Sequence, residues 1–158
     1  RMSQHLIVKK VTPEVEAQLS EWSHQKSVLA QIGPRIIRDY STTINGRVYI
    51  HVAGATMVAA VFGFSVREKS NKRIDVDGVG GWEAVCEITR DGVSVGRGSG
   101  LVMDDEKMWS TRPQFARRAM ASTRAAGRAL RLFFGHMLPM LGDKVASTTV
   151  EEMPNEEE

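Results

Sequence analysis

RPQFARRAMASTRAAGRALRLFFGHM, the run from Arg112 to Met137, decides the fold. Pro113 stands near its start, where a helix has an unused N–H position and a fixed φ is an advantage. At about 100° per residue, Phe115, Ala119, Ala126, Ala129, Leu130, Phe133 and Met137 fall on one stripe about 100° wide. Arg117, Arg124, Arg128 and Arg131 fall on a stripe roughly 60° wide on the other side. The spacing predicts one long helix, with an apolar face for a core and a ladder of guanidinium groups opposite. No acid occurs between Lys107 and Asp143, so the ladder has no carboxylate one helical turn away. Four like charges in a row repel, and a polyanion relieves that repulsion. The ladder spans roughly 20 Å, and the planar fork of arginine suits phosphate oxygens. A polyanion is needed only while the guanidinium groups stay clear of carboxylates from elsewhere in the chain.

Working outward, Trp82, Ala84, Cys86 and Ile88 alternate with more polar neighbours, Asp91-Gly92 forms a turn, and Val93 to Met103 returns as a partner strand. Gly96, Gly98 and Gly100 leave one face of that strand nearly bare, open to another backbone, another subunit or a ligand. Asp104 to Thr111 reads as a loop, whose Asp104, Asp105 and Glu106 either hold a cation or are simply solvated. Phe64 to Lys69 is a further strand, and the polar, Gly-rich Ser70 to Gly81 reads as a mobile loop. Nearer the start, Thr12-Pro13-Glu14 begins a helix expected to stop at Gly33-Pro34, with Val15, Leu19, Trp22 and Leu29 near one face. Ile36 to Thr43 and Arg47 to Val52 flank Asn45-Gly46 as a hairpin, and Ala53 to Phe62 is a short buried helix ended by Gly63. The whole is an α+β arrangement, an antiparallel β-sheet packed against a long C-terminal helix.

The 158 residues fit one domain, expected over residues 1–142, with an acidic, disordered tail over 143–158. The net charge of +2 is uneven. Five of the 19 acids lie in the last eight residues, so the other 150 carry a net +7. A basic body suits a polyanionic partner, and the tail either solvates or competes for the basic surface. The last eight residues are expected to be dispensable for folding. A single cysteine, Cys86, excludes an internal disulfide framework and suits a reducing compartment. The four histidines show no metal-ligand spacing, and no apolar run is long enough to span a bilayer. Nothing reads as a secretory leader. The expectation is a cytoplasmic, nucleoid-associated protein with no cofactor, no metal and no catalytic residue. The glycines at Gly96 to Gly100 lack the Gly-Lys-Ser/Thr ending of a phosphate-binding loop.

The segments RDGVSVGRGSG and TRAAGRALRLFFGHML together resemble the annealing domain of the eukaryotic recombination mediator Rad-fifty-two and its phage single-strand annealing relatives. The residues that carry the resemblance are Asp91-Gly92, Gly98, Gly100, the run Gly127-Arg128-Ala129-Leu130-Arg131, and Phe133 to Gly135. Asn45-Gly46-Arg47 through Phe62-Gly63-Phe64 is similar to that family's first hairpin, short helix and FG turn. The resemblance covers about Tyr40 to Leu138 and implies a β-β-β-α core assembled into a homo-oligomeric ring or filament. It implies ATP-independent binding of single-stranded DNA and annealing of complementary strands in recombination and repair, beside a single-strand-binding protein or an exonuclease. Arg128 and Arg131 match the family's DNA-contacting helix positions, whereas Gly127 stands where some members carry a basic residue.

The candidate DNA-binding residues are therefore Arg117, Arg124, Arg128 and Arg131 on the helix, together with Arg97 and Arg47; Arg47 or Arg38 is the substitute for the family's basic residue after the second hairpin strand, which has no clear counterpart here. Arg67, Lys69, Lys72 and Arg73 form a basic loop that is either a second contact or solvated. Trp109 is the candidate for base stacking, while the strand pattern assigns Trp82 to the core. The alternative is a DNA- or RNA-binding module without annealing activity.

Overall fold

The structure is a computed structural model that describes residues 11–153. It is α+β, with two three-stranded sheets and a long helix near the C-terminus. Helix α1 spans Pro13–Asp39, with the Thr12 hydroxyl accepting from the Val15 N–H as its N-cap. It runs past Gly33-Pro34, so the expected stop is corrected, and Ile36 to Asp39 is helix rather than strand. Pro34 faces solvent and cannot donate to the preceding turn, yet Leu29, Gly33 and Ile36 are buried around it. Gly33 lies against the Leu141 carbonyl, where a Cβ would not fit. Tertiary packing thus outweighs the local cost of the proline.

Strands β1 (Ser41–Ile44) and β2 (Arg47–Ile50) form the expected hairpin. Asn45 and Gly46 both take positive φ, 50° and 74°, the turn whose twist matches the strands. Helix α2 (Val52–Val61) follows, and the chain turns at Gly63. Then comes a meander of β3 (Ser65–Val76), β4 (Val79–Arg90) and β5 (Val93–Met103). The expected mobile loop over Ser70 to Gly81 is instead the end of β3, a tight turn and the start of β4. Asp77 and Gly78 turn the chain at φ 52° and 83°, the same chemistry as Asp91-Gly92.

Helix α3 (Gln114–Phe134) lies across one face of this second sheet. Ala121 and Ala125 pack with Ala84, Cys86 and Val102 in a small core. The bare strand faces the helix of its own chain: a Cβ on Gly98 would sit 2.8 Å from the Ala129 Cα and overlap its backbone nitrogen. A larger core joins Leu29, Ile36, Ile50, Val58, Ile88, Leu130, Phe134 and Leu138. Phe64, Phe133 and Phe134 meet there with ring centroids 5.0 to 5.5 Å apart. Two members of the predicted apolar stripe are misplaced. Phe115 is 76% exposed and Ala119 is also exposed, because α2 covers only the later part of that face.

The expected disordered tail is corrected over most of its described length. After a 3-10 turn (Leu138–Leu141), Val145–Thr149 forms β6, which joins β2 in parallel. Val145, Ala146 and Thr149 are buried, so this strand belongs to the domain. Residues 154–158, the rest of that expected tail, lie outside the described residues.

Candidate nucleic-acid interface

The arginines of α3 do line one side of the helix, but three of the four are neutralised within the chain. Arg117 donates to Asp104 at 2.7 Å, with a side chain only 11% exposed. Arg124 grips Glu106 with both terminal nitrogens at 2.8 Å and also donates to the Leu101 carbonyl at 2.7 Å. Arg131 donates to Glu152 at 2.7 Å. Arg128 is exposed and has no carboxylate partner among the described residues. The unneutralised ladder is therefore corrected. Helical spacing reports only partners on the same helix, and these acids come from the loop before α3 and from the segment after β6. Asp104 and Glu106 are thus counter-charges to the helix rather than simply solvated.

Arg124, Arg128 and Arg131 line one wall of a groove of about 450 Å³. Ser99, Gly100 and Leu101 of β5 form another wall, and Glu151 to Met153 close the third. Glu151 has a structural task as well. Its carboxylate accepts the Val52 N–H at 2.9 and 3.1 Å, at the start of α2. That helix has no acid in its first turn and no side-chain N-cap of its own, so Glu151 supplies the negative charge that its N-terminus favours.

A second basic surface lies on the face of the meander turned away from α3. Side chains alternate along a strand, and Ala84 and Cys86 face the helix, so Glu83 and Glu87 face outward. Register places Arg67 and Arg97 on either side of Glu87, and Lys72 opposite Glu83. Glu87 is ringed by Arg67 at 2.7 Å, Arg97 at 3.7 Å and Lys69 at 3.9 Å. The Arg67 hydrogen bond, then one from Ser94, holds its carboxyl below the ordinary value of 4.5. Three cations on one carboxylate leave a local surplus of positive charge, and all three remain substantially exposed.

The other candidates are dispersed. Arg73 points to the α3 side, pairs with Asp104 and lies over the Trp82 ring at 5.7 Å. Arg118 covers Trp82 at 5.5 Å, and the indole N–H donates to Gln114 at 2.7 Å. Hydrogen bonding from Arg73, reinforced by the charges of Arg73 and Arg117, keeps Asp104 below its ordinary 3.8. Trp82, Asp104 and Gln114 thus tie the sheet to the start of α3. Arg47 sits in the other sheet beside the Asn45-Gly46 turn. Trp109 packs against the small core and is partly buried there. Cys86 is buried, and burial pushes its thiol up to about 11.

Sequence reasoning missed Glu87, and it noted Glu106 and the acids after residue 150 without assigning them to Arg124, Arg131 or the start of α2. The one available signal was the presence of acids directly before and after the arginine-rich helix. Among the described residues no group of three or more His, Cys, Asp or Glu could hold a metal ion, and no helix is long and apolar enough to cross a membrane. The chain matches no established family model and no curated protein sequence.

Proposed function

We propose that this protein binds single-stranded nucleic acid along the edge of β5. The strand's phosphates meet Arg128 in the groove and Arg97 on the adjoining outer face, and Lys69 and Lys72 extend the contact across the sheet. The exposed Arg128, with no carboxylate partner among the described residues, carries this reading. It is set in a groove whose wall also holds Arg124 and Arg131. The outward cluster around Glu87 supports it with a second surplus of positive charge. The helix ladder as a whole does not require a polyanion. Pairing with Asp104, Glu106 and Glu152 already relieves its repulsion.

The resemblance in the order hairpin, glycine strand and arginine helix extends the proposal to annealing. On this reading the protein holds one strand by its backbone, leaves the bases open to pairing, needs no ATP and no catalytic residue, and works as a homo-oligomer in recombination. The neutralised arginines favour the weaker alternative, a binding module without annealing activity, since they lower the field available to hold two strands.

The test is fluorescence anisotropy with a labelled single-stranded oligonucleotide. Arg128→Ala with Arg131→Ala is expected to weaken binding roughly tenfold and to lower the salt slope by about one for each phosphate no longer held. Binding equal to wild type, with the protein folded by circular dichroism, overturns the groove assignment. Mixing complementary oligonucleotides with the wild-type protein, without ATP, separates annealing from binding alone.

A further inference from the structure

Two helices of this molecule each carry an apolar stripe that the domain covers at only one end. On α1, Val15, Leu19, Trp22, Leu29, Gly33 and Ile36 share a stripe about 100° wide. Leu29, Gly33 and Ile36 are buried, but every residue from Val11 to His24 is exposed, including Trp22 at 46%. The first half of the helix therefore stands clear of the domain, roughly 20 Å of it. A helical stretch of that length has marginal stability in water without a partner. On α3 the uncovered end is the N-terminal one. There Trp109, Arg112, Ala116 and Met120 line an open depression of about 420 Å³. Phe115, the most exposed large apolar side chain described, is the chain neighbour of Ala116.

The projecting half of α1 and the rest of the described chain up to residue 150 carry opposite net charge. Residues 11–25 contain Glu14, Glu16 and Glu21 and no Lys or Arg, a net charge of −3. Residues 26–150 carry 18 Lys and Arg against 11 Asp and Glu, a net +7. Arg112 stands at the depression itself, exposed and with no carboxylate partner among the described residues.

We infer that the projecting half of α1 is a docking arm for a second copy of this chain. Val15, Leu19 and Trp22 of one copy enter the depression beside Trp109 and Met120 of the next, and the arm's glutamates face the basic body around Arg112. This is an amphipathic helix in a groove. The two surfaces are different patches of the molecule, so the contact is head-to-tail and propagates into a ring or filament rather than closing as a two-fold dimer. The arm supplies the contact that the proposed assembly needs. It rests on the homo-oligomer of that reading and not on nucleic-acid binding.

The experiment mixes two variants, Leu19→Cys and Ala116→Cys, under mild oxidation. The native Cys86 is buried and does not compete. A mixed disulfide between the two variants is the expected product. Its absence overturns the proposal, as does a Leu19→Cys pair with itself as the dominant product, because that indicates a symmetric contact. In parallel, Leu19→Glu with Trp22→Glu changes only exposed residues, and light scattering is expected to show the assembly falling to monomers with unchanged helicity. Wild-type protein that is already monomeric, or a double variant that keeps its assembly mass, also overturns the docking. Binding of a short oligonucleotide by the monomeric variant is expected to persist. Groove variants such as Arg128→Ala are expected to keep the assembly, so the two readings fail separately.

Discussion

Glu152 holds Arg131 from across the groove and also accepts from the Thr149 hydroxyl at 3.2 Å, so its charge is spent inside the site that the proposal assigns to phosphate. Glu152→Gln keeps the shape and removes the charge. It is expected to strengthen single-strand binding several-fold at low salt and to change stability by no more than about 1 kcal/mol, the range for a partly exposed ion pair. A titration of a labelled oligonucleotide against both proteins checks this, and weaker binding by the variant would sink the competition. Glu87 gives a pH signature. Its carboxyl in the folded state lies below 4.5, so its ion cluster stabilises the fold above that value and is lost as pH falls through the folded one. Thermal melts from pH 7 down to pH 3 are expected to show a smaller acid-induced drop for Glu87→Gln than for wild type. The identity and helical face of Arg117, Arg124 and Arg131 were legible in the sequence, but their partners were not. Those pairs join residues 13, 18 and 21 positions apart, and no period of a helix or strand reports such a distance.

The glycine strand and α3 meet backbone to backbone. Ala125 and Ala129 present backbone to Gly100 and Gly98 with no room for a side chain between. Gly98→Ala is expected to destabilise the protein by about 3 kcal/mol, as overpacking against rigid backbone does, and chemical denaturation measures it. A stability change within about 0.5 kcal/mol, the range of neutral surface substitutions, would show that the helix shifts freely. The bare face of β5 was visible in the spacing of Gly96, Gly98 and Gly100. What it meets was one of three options, because a gap in a strand does not say which backbone fills it. Two of the three Asx-Gly turns were legible, since alternating apolar residues flank them. Asp77-Gly78 was hidden because the later part of β3 is exposed at most positions and shows no alternation. At Pro34 the local signal for a stop was real and burial of Gly33 and Ile36 overruled it.

At the scale of the molecule, the α+β class and the β-β-β-α succession followed from the sequence, and the boundary at residue 142 did not. Val145 and Ala146 sit in a short polar-looking stretch, and their burial depends on β2, about a hundred residues earlier. A chain ending at Gly142 is expected to lose about 3–5 kcal/mol through exposure of the core beside β2 and the uncapped α2. Circular dichroism melts compare it with the full chain, and an unchanged midpoint would show that β6 is dispensable. The charge asymmetry that first pointed to a polyanion remains in the molecule, redistributed. Part of it sits on the outer sheet face, and part is quenched by acids placed before and after α3.

The parallel seam between β2 and β6 also sets an order in time. A ribosome releases Arg47–Ile50 early and must add about a hundred more amino acids before Val145–Thr149 leaves the exit tunnel. At ordinary elongation speeds that interval is about 5–20 s. Through it the β1–β2 hairpin waits with one edge unsatisfied, and the last of the described strands is the one that seals the first sheet.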